Sequence, residues 1–166
     1  MNDSLASEKA ALRTQMQQRL RALTAEERES YSDEICERVM ETPQWLEAQN
    51  VVLFVPLPSE PIITPLKLDC EARKIGCANI PQTARNEADL HLPDAIDLIL
   101  VPGLVFSKDL HRLGRGGGFF DRLLAGRAAK AFKLGICFSF QLLESIPIEP
   151  NDIVMDAVLT DSGTMV

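Results

Sequence analysis

The sequence predicts an α/β protein, a three-layer sandwich with a mainly parallel central sheet flanked by helices. Three observations lead there. Two short apolar runs, Val51–Val55 and Ile96–Val101, are rich in Val, Ile and Leu and read as buried parallel strands rather than as half-wet edges. Segments of helical character lie between the strand-like runs, so the connections cross over instead of turning straight back. A glycine-rich loop follows the second run, where open parallel sheets collect ligands beyond the carboxyl ends of their strands.

Residues 4–22 are dominated by Ala, Leu, Gln, Lys and Arg, all good helix formers. Leu5, Leu12, Met16 and Leu20 form part of an apolar stripe at helical spacing. Thr24-Ala-Glu-Glu27 reads as a capping box opening a second helix. Tyr31, Ile35 and Val39 continue that helix in steps of four, and Pro43 lies beyond its end. Trp45 and Leu46 fall in a short segment before the first strand. Pro56, Pro58 and Pro61 then force an extended loop. Thr64–Lys74 predicts a crossover helix, with Gly76 close to its C-cap position. Cys77–Ile80 is a weaker strand, and 85–93 is a polar loop. A further helix starts near Gly117–Phe119 and reaches about Ala125. Phe132–Cys137 is another strand, and Ile153–Thr160 closes the chain as one or two short strands. No internal repeat or linker interrupts the 166 residues, so a single domain over 1–166 is expected.

The formal net charge of −7 argues against nucleic acid or an anionic membrane as a partner. The charge is unevenly distributed. Lys108–Lys133 holds seven Lys or Arg and two acids, whereas Leu134–Val166 holds five acids and no Lys or Arg. A local positive field in an acidic protein suits a small anionic ligand. Cys36, Cys70, Cys77 and Cys137 form no CxxC pair or finger spacing, and with only His91 and His111 beside them a zinc site is not expected. The expectation is four reduced, mostly buried thiols. No apolar run approaches the roughly 18 residues of a membrane span. A cytoplasmic monomer follows as the expected state.

The basic segment contains Arg112-Leu-Gly-Arg-Gly-Gly-Gly-Phe-Phe-Asp-Arg122. Its glycines permit positive φ and close backbone approach, and successive N–H groups in such a loop can cradle an anion. Arg112, Arg115 and Arg122 can match phosphate oxygens bidentately, and a carboxylate at Asp121 could hold Mg²⁺. The loop is neither a Walker A sequence nor GxGxxG. Elsewhere the residues alone point to less. Lys9 and Arg13 share one helix face but read as a solvated basic pair; Glu60 and Asp152 read as ordinary loop acids, and His111 as a surface histidine. No Ser/His/Asp or Cys/His set suggests covalent catalysis.

Leu100-Val-Pro-Gly-Leu-Val-Phe106 together with the glycine loop resembles the signature of the 5-formyltetrahydrofolate cyclo-ligase family, also called 5,10-methenyltetrahydrofolate synthetases. Lys9-Ala-Ala-Leu-Arg13, Leu57-Pro-Ser-Glu60, Gly135–Phe138, Gln141, Ile146-Pro147, Asp152 and Leu159-Thr160 follow the family pattern in the same order. The resemblance implies an ATP- and Mg²⁺-dependent ligase acting on a reduced folate, with or without a polyglutamate tail. It implies that Lys9, Arg13, Arg112, Gly114, Arg115, Gly116, Gly117, Gly118, Phe119 and Phe120 bind ATP. Val55, Glu60 and the segment Arg115–Phe119 would meet the folate. Asp121 and Asp152 would hold the metal, and Arg115 and Asp121 would be catalytic. This reverses the bland reading of Lys9, Arg13 and Asp152.

The chain also departs from the pattern. Phe119-Phe120 stands for the usual Tyr-Tyr, Ser107 for an aspartate and Asn151 for a histidine. The region between Pro81 and Asp97 is short and lacks a Glu-Pro segment that helps wall the folate pocket. The alternative reading is therefore a non-catalytic or altered-specificity nucleotide/folate-binding module with a trimmed folate pocket. A sugar-phosphate isomerase on a similar sheet, using His111, Glu60 or Asp109 as acid/base, stands well behind both.

Overall fold

The computed structural model describes residues 2–165. Helix α1 (Asn2–Ala22) leads into α2 (Ala25–Glu41) through the expected capping box. Glu27 N–H donates to Thr24 Oγ1 at 3.1 Å, and Thr24 N–H donates to the Glu27 carboxylate at 3.0 Å. Pro43 is not a simple terminator. It occupies the first turn of a short helix α3 (Pro43–Glu47), where a missing N–H costs nothing, and Thr42 caps it. Strand β1 (Asn50–Phe54), helix α4 (Thr64–Arg73), β2 (Gly76–Ile80) and β3 (Leu98–Val101) follow.

Then come β4 (Val105–Ser107), β5 (Arg112–Leu113), α5 (Phe119–Ala125), β6 (Phe132–Ile136), β7 (Leu142–Leu143), β8 (Ala157–Thr160) and β9 (Gly163–Met165). The main sheet has the order β2-β1-β3-β6-β8-β9 and is flanked by helices. Every pairing in it is parallel except β8 with β9, where Val158 faces Met165 in antiparallel register. Val51, Val52 and Leu53 in β1 and all four residues of β3 are fully buried, as their uninterrupted apolar sequence requires. Burying each such side chain stabilises the fold by roughly 1.5–3 kcal/mol.

Three features differ from the sequence expectation. Gly76 opens β2 and does not cap α4; the left-handed residue is Lys74, at φ 58°. A Cβ at 76 would run into Asn50 Oδ1, so the Asn50 side chain would have to swing away to admit one. The expected closing strand continues past Thr160 into a β8–β9 hairpin. A second, three-stranded sheet, β5-β4-β7, lies where only a loop was expected. Two- and three-residue strands leave too little periodicity to detect.

Phe106 in β4 ties the two sheets together. Its ring is fully buried, and a Cβ on Gly103 or Gly135 would come within 2.9 Å and 2.5 Å of it. Gln141 supports the same junction, donating to the carbonyls of Gly103 and Leu104 and accepting from Phe138 N–H. Cys36, Cys70 and Cys137 are buried and Cys77 is half-buried.

Gly135→Ala should overpack this junction and cost roughly 1–3 kcal/mol. Thermal unfolding should show a lower Tm, at about 2–4 °C per kcal/mol for a chain of this size. An unchanged Tm would mean the Phe106 ring has room to move.

Candidate active site

The carboxyl ends of β1, β2 and β3 open into a cavity of about 380 Å³, the size of a ligand pocket. Phe54 and Val55 line it at the end of β1, Ile80 and Pro81 at the end of β2, and Pro102 and Gly103 just beyond β3. Lys9 and Arg13 enter from α1, and Glu149 and Asp152 from the turn before β8. The loop joining β5 to α5 forms a further wall.

That loop depends on glycine at two positions. Gly116 has φ 108° and Gly118, immediately before α5, has φ 71°. Side chains from distant elements fix its path. Arg13 Nε donates to Gly114 O at 2.9 Å, and Arg122 donates to Gly117 O at 3.1 Å. Helix α5 has only seven residues, so an anion held here would rest on loop amides and arginines rather than on a helix end. The facing loop after β1 is held by Arg28 of α2, which donates to the carbonyls of Glu60 and Leu57 at 2.8 and 3.1 Å.

Arg112 stands among the acids of the cavity, with a side chain only 7% exposed. It donates to Pro102 O at 2.6 Å, lies 3.5 Å from Asp121 and stacks 5.1 Å from the centre of the Phe120 ring. Burial pulls its guanidinium down to about 10, against the opposing pull of Asp121, Glu60 and Asp152, so it stays charged at neutral pH. Arg115 lies 3.6 Å from the Glu60 carboxylate and donates to Ser59 Oγ at 3.0 Å. Glu60 is itself buried. Desolvation raises its pKa despite the Leu57 N–H at 2.8 Å and the Arg115 and Arg112 charges. Burial alone would lower the Lys9 pKa, but Glu149 at 2.7 Å and Asp152 at 3.3 Å outweigh it and raise it.

The profile of the 5-formyltetrahydrofolate cyclo-ligase family matches residues 5–74 and 71–161. The chain belongs to the 5-formyltetrahydrofolate cyclo-ligase family. A Mus musculus 5-formyltetrahydrofolate cyclo-ligase is 28% identical, with 95% of each chain covered. That alignment runs over 196 positions, more than the 166 residues of this chain, so the relative carries inserted segments. Among solved structures, the Aquifex aeolicus 5,10-methenyltetrahydrofolate synthetase superposes with a TM-score of 0.78 at 25% identity, covering 95% of this chain and 91% of that one. The Mycoplasma pneumoniae 5,10-methenyltetrahydrofolate synthetase gives 0.79 at 25% identity, covering 93% and 99%.

Every site residue expected from the family pattern lines this one cavity. The set includes Lys9 and Asp152, which are 143 positions apart, and Val55, Glu60, Phe119 and Phe120. Asp121 and Asp152 both reach the cavity but are ion-paired to different cations, Arg112 and Lys9. Among the described residues no group of three or more His, Cys, Asp or Glu side chains is placed to hold a metal. His111 and Asp109 pair with each other at 3.3 Å and do not line the cavity, which leaves Glu60 as the one acid/base group named for an isomerase reading that does.

Sequence reasoning did not find Glu149, the nearest partner of Lys9, or Gln82, Ala84 and Arg85, which line the cavity from the short segment after β2. Glu149, three residues before Asp152 and accepting Lys9 from across the chain, carried no recognisable spacing.

The Glu60 shift has a definite sign. A carboxyl raised above its usual value of 4.5 takes up protons in the folded state first, so its ionisation erodes stability as pH rises from about 4.5 through the raised value. Glu60→Gln should therefore gain in Tm relative to the parent protein between pH 4.5 and 7.5, measured by thermal unfolding across that range. The opposite trend would mean that the two arginines outweigh burial.

Proposed function

We propose that this chain converts 5-formyltetrahydrofolate to 5,10-methenyltetrahydrofolate at the expense of ATP, as one domain over residues 1–166 and as a cytoplasmic monomer. The observation that carries the reading is convergence. Residues from α1, the loops after β1 and β5 and the turn before β8 supply cations, a buried carboxylate and a glycine cradle to one cavity in a chain of this family. No helix of the described residues is long and apolar enough to cross a membrane.

The formyl oxygen accepts the γ-phosphoryl group and ADP leaves. N10 then attacks the activated formyl carbon and gives its proton to water, and the carbon–oxygen bond to phosphate breaks as the methenyl bridge closes. No enzyme nucleophile is needed. The work is alignment of two ligands and neutralisation of charge on the transferring group. Lys9, Arg13 and Arg112 bind the phosphates, the amides of Gly114 to Gly118 wrap them, and Phe119 and Phe120 pack beside the nucleotide. Arg115, already beside Glu60, reaches both ligands and stabilises the charge that develops between them. Val55 and Glu60 meet the pterin side.

Mg²⁺ commonly takes one or two carboxylates and completes its shell with phosphate oxygens and water. Asp121 and Asp152 offer that donor set, too sparse for a protein cage but suited to a metal that arrives with the nucleotide. Bound there, it would offset phosphate charge.

The alternative of a non-catalytic binding module is not favoured. Its motive was a trimmed folate wall, and the short segment after β2 still lines the cavity through Pro81, Gln82, Ala84 and Arg85.

Incubating the protein with 5-formyltetrahydrofolate, ATP and Mg²⁺ should raise the methenyl absorbance, and EDTA should abolish the rise. Folded protein with no turnover would overturn the proposal. Arg115→Ala and Asp121→Ala should each lower kcat/KM by about 100-fold or more while the melting curve stays cooperative. Near-normal rates in both would remove them from the mechanism.

A further inference from the structure

Five described cations line the cavity, and four of them are engaged within the site. Lys9, Arg112 and Arg115 each face a carboxylate, and Arg13 holds the glycine loop. Arg85 alone touches neither a carboxylate nor that loop. Its guanidinium donates to Gln82 O at 3.4 Å and Ala84 O at 3.2 Å, carbonyls of its own short segment.

The segment is nevertheless well anchored. Gln82 donates to Pro56 O at 2.6 Å, beside Val55, and Arg122 of α5 donates to Arg85 O at 3.2 Å. Arg85 thus stands on the folate side of the cavity, at an exposed position, whereas Glu60 lies deep and only 7% exposed. Ile80, Pro81 and Ala84 form apolar wall on the same segment. A reduced folate has matching polarity: a pterin at one end, an apolar aryl ring in the middle and glutamate carboxylates at the other end. With the pterin at Glu60, the tail runs outward to the mouth.

Resting on the folate reading above, we propose that Arg85 binds the glutamate-tail carboxylate of the substrate and so sets the preference of this chain for glutamylated folates. A guanidinium matches a carboxylate bidentately, and Arg85 is the one described lining cation that touches neither a carboxylate nor the glycine loop.

The test is steady-state turnover of the parent protein and the variants Arg85→Met and Arg85→Lys, on 5-formyltetrahydrofolate and on the tail-less amide of 5-formyltetrahydropteroate, which carries no free carboxylate. Arg85→Met should raise the KM for the folate about tenfold with little change in kcat or in the KM for ATP, and Arg85→Lys should recover part of the loss. On the tail-less substrate the variants and the parent should have the same KM. An equal rise on both substrates would show that Arg85 only braces the wall, a rise in the KM for ATP would put it in the nucleotide site, and no rise would leave it without a role. Each of these overturns the proposal. Inactivity of the parent protein on both substrates would instead overturn the folate reading itself.

Discussion

The site is organised around a nearly buried cation. The Arg112 side chain is only 7% exposed, and a guanidinium withdrawn from water is tolerable only where its donors and its charge are met. Pro102 O at the end of β3, Asp121 on α5 and the Phe120 ring meet them, with Glu60 and Asp152 close enough to raise its pKa. These partners come from two distant parts of the chain, the β3 terminus and α5. Satisfying one side chain therefore fixes the β3 terminus, the glycine loop and α5 relative to each other. Gly114 follows from the same constraint, since a Cβ there would press within 2.8 Å of the Arg112 guanidinium. The glycine run is thus partly a packing requirement of the arginine and partly a conformational one, at Gly116 and Gly118.

The wall facing this cluster is built differently. It has little buried charge and takes its shape from the β1 and β2 ends, where Val55 N–H donates to Ile80 O at 2.8 Å. The chain then leaves β2 through Pro81 and crosses to α5, pinned by Gln82 at one end and by Arg122 at the other. A short crossing held at both ends loses little entropy on ligand binding. The short segment lines the cavity through Pro81, Gln82, Ala84 and Arg85.

The long or strongly patterned elements were legible in the sequence, and the close-packed ones were not. The runs in β1 and β3 announce buried strands because burial on both faces leaves no polar position. Thr24 and Glu27 announce a helix start because the cap is local chemistry. By contrast, β4, β5 and β7 exist because Phe106 must pack against Gly103 and Gly135, a tertiary demand with no local period. Gly76 misled for a related reason: its close neighbour is the side chain of Asn50, distant in sequence. The site shows the same division. The glycine loop and its arginines stood out on their own, while Lys9, Glu60 and Asp152 gained meaning only from the family pattern. Glu149 and Arg85 had neither signal.

The ion pairs inside the cavity also explain how a strongly acidic protein can keep a cationic site without a large cost in stability. Lys9, Arg112 and Arg115 face Glu149, Asp152, Asp121 and Glu60, so the charges nearly cancel when no anion is present. A triphosphate bound as proposed would meet Lys9 and Arg112 already paired with carboxylates. Its oxygens would take the place of those carboxylate oxygens, and the displaced carboxylates would then need another cation or water. Nucleotide affinity is accordingly a difference between two sets of ion pairs, smaller than the cation count suggests. A divalent ion arriving with the phosphates would make that exchange more favourable, because Asp121 and Asp152 would move from one cation to another rather than into solvent.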